Sequence, residues 1–107
     1  MRLVPHKWGH EEMVVETENY CYEKLHMNKG WLMAYHYHPL KQETFIPLEG
    51  EVLVNVKGTE FLLTEPITIN PNTPHSLYAV TDAIIGEVST KHIDDDVVRI
   101  EVTRYVG

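Results

Sequence analysis

Short runs of β-branched and aromatic residues, separated by turn-forming residues, constrain the fold of this chain more than any other feature. No segment keeps apolar residues at helical spacing for three turns, whereas pairs such as Glu49-Gly50 and Lys57-Gly58 favour tight reversals. Residues 1–12 are mixed in composition and are predicted to be irregular. The runs predict strands at residues 13–17, 20–27, 31–38, 44–48, 52–56, 60–63, 67–69, 75–80, 83–89 and 97–105. About ten short strands of this kind favour an all-β barrel or sandwich.

The size and charge of the chain limit the number of domains it forms and the classes of partner it binds. A chain of 107 residues is expected to form one domain over residues 1–107. A net charge of −7 argues against binding to the phosphate backbone of nucleic acid. Cys21 is the only cysteine, which excludes an internal disulfide and favours a reducing compartment. No apolar run has the length of a signal peptide core or a membrane span, so we expect a cytoplasmic protein that does not bind membranes.

One stretch combines residue types that bind metal ions. His36 and His38 are two positions apart, so in an extended strand both side chains leave the same face. Glu43 follows after a break at Pro39 and is expected on the neighbouring strand, and His75 is the candidate fourth ligand from a third strand. Such a set leaves one or two coordination positions open, as reactive metal sites do. It suits Mn, Fe, Co, Ni or Zn, and the spacing does not rank these metals.

The same stretch resembles the first motif of the cupin family, whose positions are filled here by Gly30, His36, His38, Glu43 and Gly50. The second cupin motif ordinarily reads Pro-x-Gly-x-x-His, and Asn70-Pro71-Asn72-Thr73-Pro74-His75 stands in its place. Asn72 replaces the glycine, which is tolerable because Asn enters the left-handed region more readily than most residues. The resemblance implies a double-stranded β-helix, a small jelly roll, and supports the metal ligands His36, His38, Glu43 and His75.

The flanking segments resemble one branch of the cupins, the type II mannose-6-phosphate isomerase domains. His6-Lys7-Trp8-Gly9-His10-Glu11-Glu12 is similar to the Arg-Pro-Trp-Gly-x-x-Glu opening of those domains. Residues 85–89 and 94–101, with Tyr105, are similar to their closing strands. This resemblance implies a small-molecule sugar or sugar phosphate as the substrate, and a recurring acid of that branch stands where Glu87 stands.

These observations lead to a metal-dependent sugar or sugar-phosphate isomerase as the first hypothesis. Aldose–ketose exchange moves a proton between adjacent carbons through an enediolate, whose charge a divalent metal stabilises. Glu87 is the candidate base and Lys41 the candidate contact for the substrate anion. Two other hypotheses remain open: an Fe(II) dioxygenase with the same ligands, and a sugar-binding or regulatory cupin without catalysis.

Two further expectations concern the surface. Met33, Tyr35 and Tyr37 are expected on the outward face of their strand, and an apolar patch of this kind predicts a homodimer. The three acids Asp94-Asp95-Asp96 are expected to lie in a solvated loop.

Overall fold

The computed structural model describes residues 2–107, so Met1 lies outside the described residues. Among these residues no helix has the length and apolar character needed to cross a lipid bilayer. They form twelve β-strands: β1 (Arg2–His6), β2 (Gly9–Glu16), β3 (Tyr20–Met27), β4 (Trp31–Tyr37), β5 (Glu43–Glu49), β6 (Val52–Val56), β7 (Thr59–Leu62), β8 (Ile67–Ile69), β9 (His75–Ala79), β10 (Ala83–Thr90), β11 (Val98–Arg99) and β12 (Arg104–Tyr105).

The strands form two antiparallel sheets that enclose the core. One sheet has the order β1-β2-β3-β10-β5-β8, and the other has the order β11-β4-β9-β6-β7, with β12 also paired to β4. Residues of both sheets supply the buried core, which includes Leu25, Phe45, Val54, Leu77 and Ile85. The predicted all-β jelly roll is therefore confirmed.

The N-terminal segment is more regular than the sequence predicted. Residues expected to be irregular form β1 and the first half of β2, which pair as a hairpin. Gly9 begins β2 at a φ of 146°, and a Cβ atom there would lie 1.8 Å from the carbonyl oxygen of His26. Glycine alone permits this close approach between β2 and β3. The hairpin was missed because it lies at a sheet edge, where half-exposed strands carry no apolar alternation.

The last predicted strand, residues 97–105, was also wrong as a single element. It forms two short strands, β11 and β12, and both pair with β4. The two strands cover opposite ends of β4, with residues 100–103 between them. The run of β-branched residues therefore predicted correctly that this segment is extended, but its pairing with β4 is interrupted at residues 100–103.

Strand β4 is irregular, and this changes the face on which Met33 lies. The pairing of β4 with β9 shifts register between Met33 and His36. Met33 consequently packs against the core and lines the internal cavity, so its predicted outward position was wrong. Tyr35 does point away from that cavity, because its hydroxyl donates to Asn55 Oδ1 and accepts from the Gly58 N–H.

Candidate metal centre

The structure brings the four predicted metal ligands together from both sheets. His36 lies near the end of β4, His38 follows that strand, and His75 is paired directly with His36 at the start of β9. Glu43 begins β5, which belongs to the opposite sheet. The expectation that Glu43 lies on a neighbouring strand was wrong, because the chain crosses between the sheets at residues 38–42. One candidate ligand atom from each of the four side chains lies within 4.8 Å of the others.

The three imidazoles are oriented by the backbone. In each ring Nδ1 lies within hydrogen-bonding distance of a carbonyl oxygen: His36 with Ala34 (2.8 Å), His38 with Asp96 (2.7 Å) and His75 with Thr73 (2.8 Å). A carbonyl oxygen only accepts, so Nδ1 carries a proton and donates it in all three rings. In the neutral imidazoles the Nε2 lone pairs are therefore free, which is the arrangement typical of metal-binding histidines.

The contact between the buried atoms His75 Nε2 and Glu43 Oε1 indicates that a metal ion suits the site. His75 Nε2 lies 2.8 Å from Glu43 Oε1, and neither atom has a hydrogen-bond partner of good geometry among the described residues. With Nδ1 of His75 protonated, Nε2 and Oε1 present lone pairs to each other unless a proton or a cation lies beside them. Such uncompensated burial of polar atoms is costly. Three imidazoles and one carboxylate fit a divalent transition metal.

The acid–base states of these groups also suit metal binding. Burial, together with the nearby His75, lowers the pKa of His36 to about 4. Burial likewise lowers the pKa of His38, and the charge of Lys41 lowers it further. Burial acts to raise the pKa of Glu43, but the contact with His75 and the charge of Lys41 outweigh it and lower that pKa to about 2. At neutral pH the chain thus offers neutral imidazoles at His36 and His38 and an ionised carboxylate at Glu43, the forms that bind metal.

Lys41 and Glu87, the predicted catalytic residues, line the same cavity as the candidate ligands His36, His38 and Glu43. The cavity has a volume of about 360 Å³ and is lined by residues from both sheets. Lys41 Nζ lies 3.4 Å from Glu87 Oε2 and 3.5 Å from Glu43 Oε2. Burial acts to lower the pKa of Lys41, but Glu87 and Glu43 outweigh it and raise that pKa. Lys41 therefore stays charged between the candidate base and a candidate metal ligand.

Glu87 has the acid–base properties that proton transfer requires. Its side chain is buried on β10. Burial raises the pKa of Glu87 to about 7, the charge of Glu43 acts in the same direction, and Lys41 opposes both. A carboxyl group with a pKa near neutrality is able both to take and to return a proton at neutral pH.

Asp96 holds the loop that carries Lys41, a function that the sequence did not reveal. Its carboxylate accepts hydrogen bonds from the backbone N–H groups of Leu40 (2.9 Å) and Lys41 (3.0 Å). Its backbone carbonyl is the acceptor for His38. The prediction of a solvated loop was therefore wrong for Asp96, whereas the side chain of Asp94 is 97% exposed.

Glu23 is a second residue of the site that was not predicted from the sequence. It lies on β3 directly opposite Glu87 on β10 and is buried beside the cavity. The signal was present in the sequence, because Glu23 alternates in phase with the apolar residues Cys21, Leu25 and Met27. An acid on the buried face of a strand marks a site that requires a specific partner.

The protein is thus a small all-β jelly roll with a candidate metal centre, made of three histidines and a glutamate, between its two sheets. No family model matches the sequence. No curated protein matches it either. Solved structures do match the fold. An RmlC-like cupin from Shewanella frigidimarina is 22% identical with a TM-score of 0.80, over 88% of this chain and 86% of that one.

Two further structures support the same fold. KdgF from Halomonas sp. is 17% identical with a TM-score of 0.75, over 80% of this chain and 81% of that one. The capsular polysaccharide assembling protein CapF from Staphylococcus aureus is 15% identical with a TM-score of 0.80, over 94% of this chain but 32% of that one. These similarities show that the chain has the cupin fold. The resemblance to type II mannose-6-phosphate isomerase domains stays a prediction.

Proposed function

We propose that this protein is a metal-dependent isomerase of a sugar or sugar phosphate. One observation carries the proposal: Glu87, whose pKa is raised to about 7, lines the same cavity as three of the four candidate metal ligands, His36, His38 and Glu43. Lys41 lies between Glu87 and Glu43. Aldose–ketose exchange requires a proton-transfer group near neutral pKa beside a site that stabilises negative charge on oxygen.

Each residue has a distinct part in this reaction. Glu87 takes the proton from the carbon next to the carbonyl group and returns it to the former carbonyl carbon, while the hydroxyl proton of the first carbon moves to the former carbonyl oxygen. Lys41 supplies a fixed positive charge for the substrate anion and also restrains the Glu87 carboxylate. His36, His38, Glu43 and His75 would hold the divalent cation, which when bound polarises substrate oxygens. Trp8 and Phe45 close the apolar side of the cavity and exclude water from the reacting carbons.

The sugar class of the substrate comes from the resemblance of the N-terminal and closing segments to type II mannose-6-phosphate isomerase domains. The stretch that carries this resemblance contains Trp8 and Glu11, and both side chains line the cavity. The segment that resembles the branch therefore contributes to the site. CapF, a capsular polysaccharide assembling protein with the same fold, provides a further connection with carbohydrates.

The test is a panel of free and phosphorylated aldoses and ketoses offered to metal-loaded protein in deuterated water. We expect aldose–ketose interconversion with deuterium at the carbon next to the carbonyl, and loss of both after chelation. Lys41→Ala is expected to weaken the binding of phosphorylated sugars more than that of neutral sugars, because it removes a charged contact.

The same panel distinguishes the rival hypotheses. Oxygen consumption that depends on bound Fe(II) would assign a dioxygenase. Saturable sugar binding by fully metallated protein, without turnover or deuterium incorporation for any sugar, would assign a binding or regulatory protein. Either result would contradict the isomerase proposal.

A further inference from the structure

Four polar side chains form a diagonal row across the inner face of one sheet, and the proposed reaction uses only the last of them, Glu87. They are His6 on β1, Glu11 on β2, Glu23 on β3 and Glu87 on β10, which are consecutive strands of that sheet. Glu11 is paired with Val4 on β1 and with Leu25 on β3, so His6 and Glu23, each two residues away along its strand, lie diagonal to it. Glu23 is paired directly with Glu87. All four side chains line the cavity.

The row is continuous from the surface to the cavity interior. His6 Nε2 lies 2.8 Å from Glu11 Oε1, and the exposed His6 ring stacks on Trp8. Glu23 and Glu87 are paired directly and both are buried, and Glu11 lies diagonal to Glu23 through its pairing with Leu25. Lys41 Nζ lies 3.4 Å from Glu87 beyond the end of the row.

Hydrogen bonds between carboxyl groups require a proton. An ionised carboxylate only accepts, so Glu23 bonds to Glu11 or Glu87 only if one member of each pair is protonated. Glu23 has an acid on either side, and Lys41 lies beside Glu87 at the far end. Because Glu23 lies between two acids and has no cation beside it in the row, the proton is favoured on Glu23 rather than on Glu87. Burial, and then the charges of Glu87 and Glu11, raise the pKa of Glu23 to about 10.

We propose that Glu23 is a protonated carboxylic acid and that Glu11, Glu23 and His6 relay protons between Glu87 and solvent. The single hydroxyl of Glu23 donates to Glu11 or to Glu87 in turn. When Glu87 carries a proton from the substrate, Glu23 accepts it and passes its own proton to the Glu11 carboxylate. Glu11 then exchanges that proton with water beside His6. The relay role rests on the proposed isomerase function, whereas the proton on Glu23 does not.

Other charged groups face this row and belong to its electrostatic surroundings. Lys41, in the loop before β5, and the candidate ligand Glu43, at the start of β5, approach the row from one end. Arg2 lines the same cavity from β1 and lies 3.7 Å from Glu16. From the opposite sheet and the segment before it, the cavity is lined by His92, Asp95, Asp96 and Arg99.

The proton on Glu23 is tested without any reaction. Infrared spectra at about pH 8, where an ordinary glutamic acid with a pKa of about 4.3 is ionised, should show a protonated carboxyl band that shifts in deuterated water. Glu23→Gln should lose this band. Glu12→Gln is the matched control, since Glu12 bonds to His26 and does not line the cavity, and it should keep the band.

A measurement on the wild-type protein covers the case in which Glu23→Gln fails to fold. With ¹³C-labelled glutamate, NMR should show a carboxyl carbon that stays protonated at about pH 8. Ionisation of every glutamate at that pH, or a band that persists in folded Glu23→Gln, would overturn the proposal.

The relay is tested by measuring how much of the hydrogen transferred to the product comes from solvent. If Glu11 connects Glu23 to solvent, Glu11→Gln should lower the deuterium incorporated per product molecule, and Glu12→Gln should not. Equal incorporation in Glu11→Gln and wild type would refute the relay. If no sugar is turned over, the proposed function fails, whereas the infrared and NMR results still decide whether Glu23 holds the proton.

Discussion

His75 Nε2 and Glu43 Oε1 lie 2.8 Å apart, and the two residues come from opposite sheets of the barrel. Both side chains are buried, and neither atom has a hydrogen-bond partner among residues 2–107. The contact places two electron-rich atoms where a cation bound to both would join the sheets. Metal binding and the closure of this end of the barrel are therefore expected to depend on each other.

Asp96 gives the first prediction, because it orients the loop between the candidate ligands His38 and Glu43 without belonging to that group. Asp96→Ala removes the acceptor for the Leu40 and Lys41 N–H groups. Loss of such supporting contacts typically weakens metal binding by about 10- to 100-fold. Isothermal titration with a divalent metal measures the change. Asp94→Ala is the control, since that side chain is 97% exposed, and equal affinity in both variants would argue against the role of Asp96.

Glu87 gives the second prediction. Glu87→Gln keeps the shape of the side chain but removes the group that accepts a proton, so the variant should bind metal and sugar as the wild type does. Its turnover should fall by about 10²- to 10⁴-fold, the usual contribution of a positioned base. Steady-state rates with the best substrate of the panel provide the measurement. Unchanged turnover would place the base elsewhere.

Glu23 gives a prediction about stability and pH. Its raised pKa, about 10 against 4.5, means that the folded protein keeps a proton that the unfolded chain loses. The free energy of unfolding therefore decreases as pH rises between these values, by at most about 1.4 kcal/mol per pH unit. Glu23→Gln lacks this contribution and should gain stability relative to wild type as pH rises. Urea unfolding at several pH values tests this, and parallel profiles would contradict it.

The sequence predicted that the four candidate ligands come together, and part of that prediction depends on spacing, which is a local property. His36 and His38 share a face in any extended strand, and the buried polar residue Glu43 marks the start of the next strand. Spacing does not specify which sheet a strand joins, and for that reason the position of Glu43 across the barrel was not foreseen. Pairing partners are set by long-range packing, which also determines the register shift that turns Met33 inward.

Other parts of the site depend on contacts distant in the sequence. The bonds of Asp96 to the backbone of residues 40 and 41 span more than fifty positions, so three adjacent acids looked like a solvated loop. Glu23 was detectable, because an acid in phase with Cys21 and Leu25 departs from the strand pattern. Its significance depends on Glu87, which pairs with it only through the fold.

The oligomeric state gives the next prediction. We expect a homodimer, because large apolar side chains remain exposed on the sheet edges formed by β1, β11 and β12: Leu3, Val98 and Tyr105, with Ile100 and Val102 between the last two strands. Light scattering should give twice the mass of the chain, and Val102→Asp, at a side chain 79% exposed, should shift the protein toward monomer. A monomer mass for the wild type at working concentration would refute the dimer.

The metal content of the purified protein tests the central claim most directly. After equilibration with divalent transition metals and dialysis, elemental analysis should find one ion per chain in the wild type. His38→Ala should lose most of that metal and keep its β-sheet circular dichroism, because it removes a ligand and not core volume. His10→Ala is the matched control, since His10 stacks on His26 away from the cavity, and it should keep the ion. Full metal content in His38→Ala, or none in the wild type, would contradict the account.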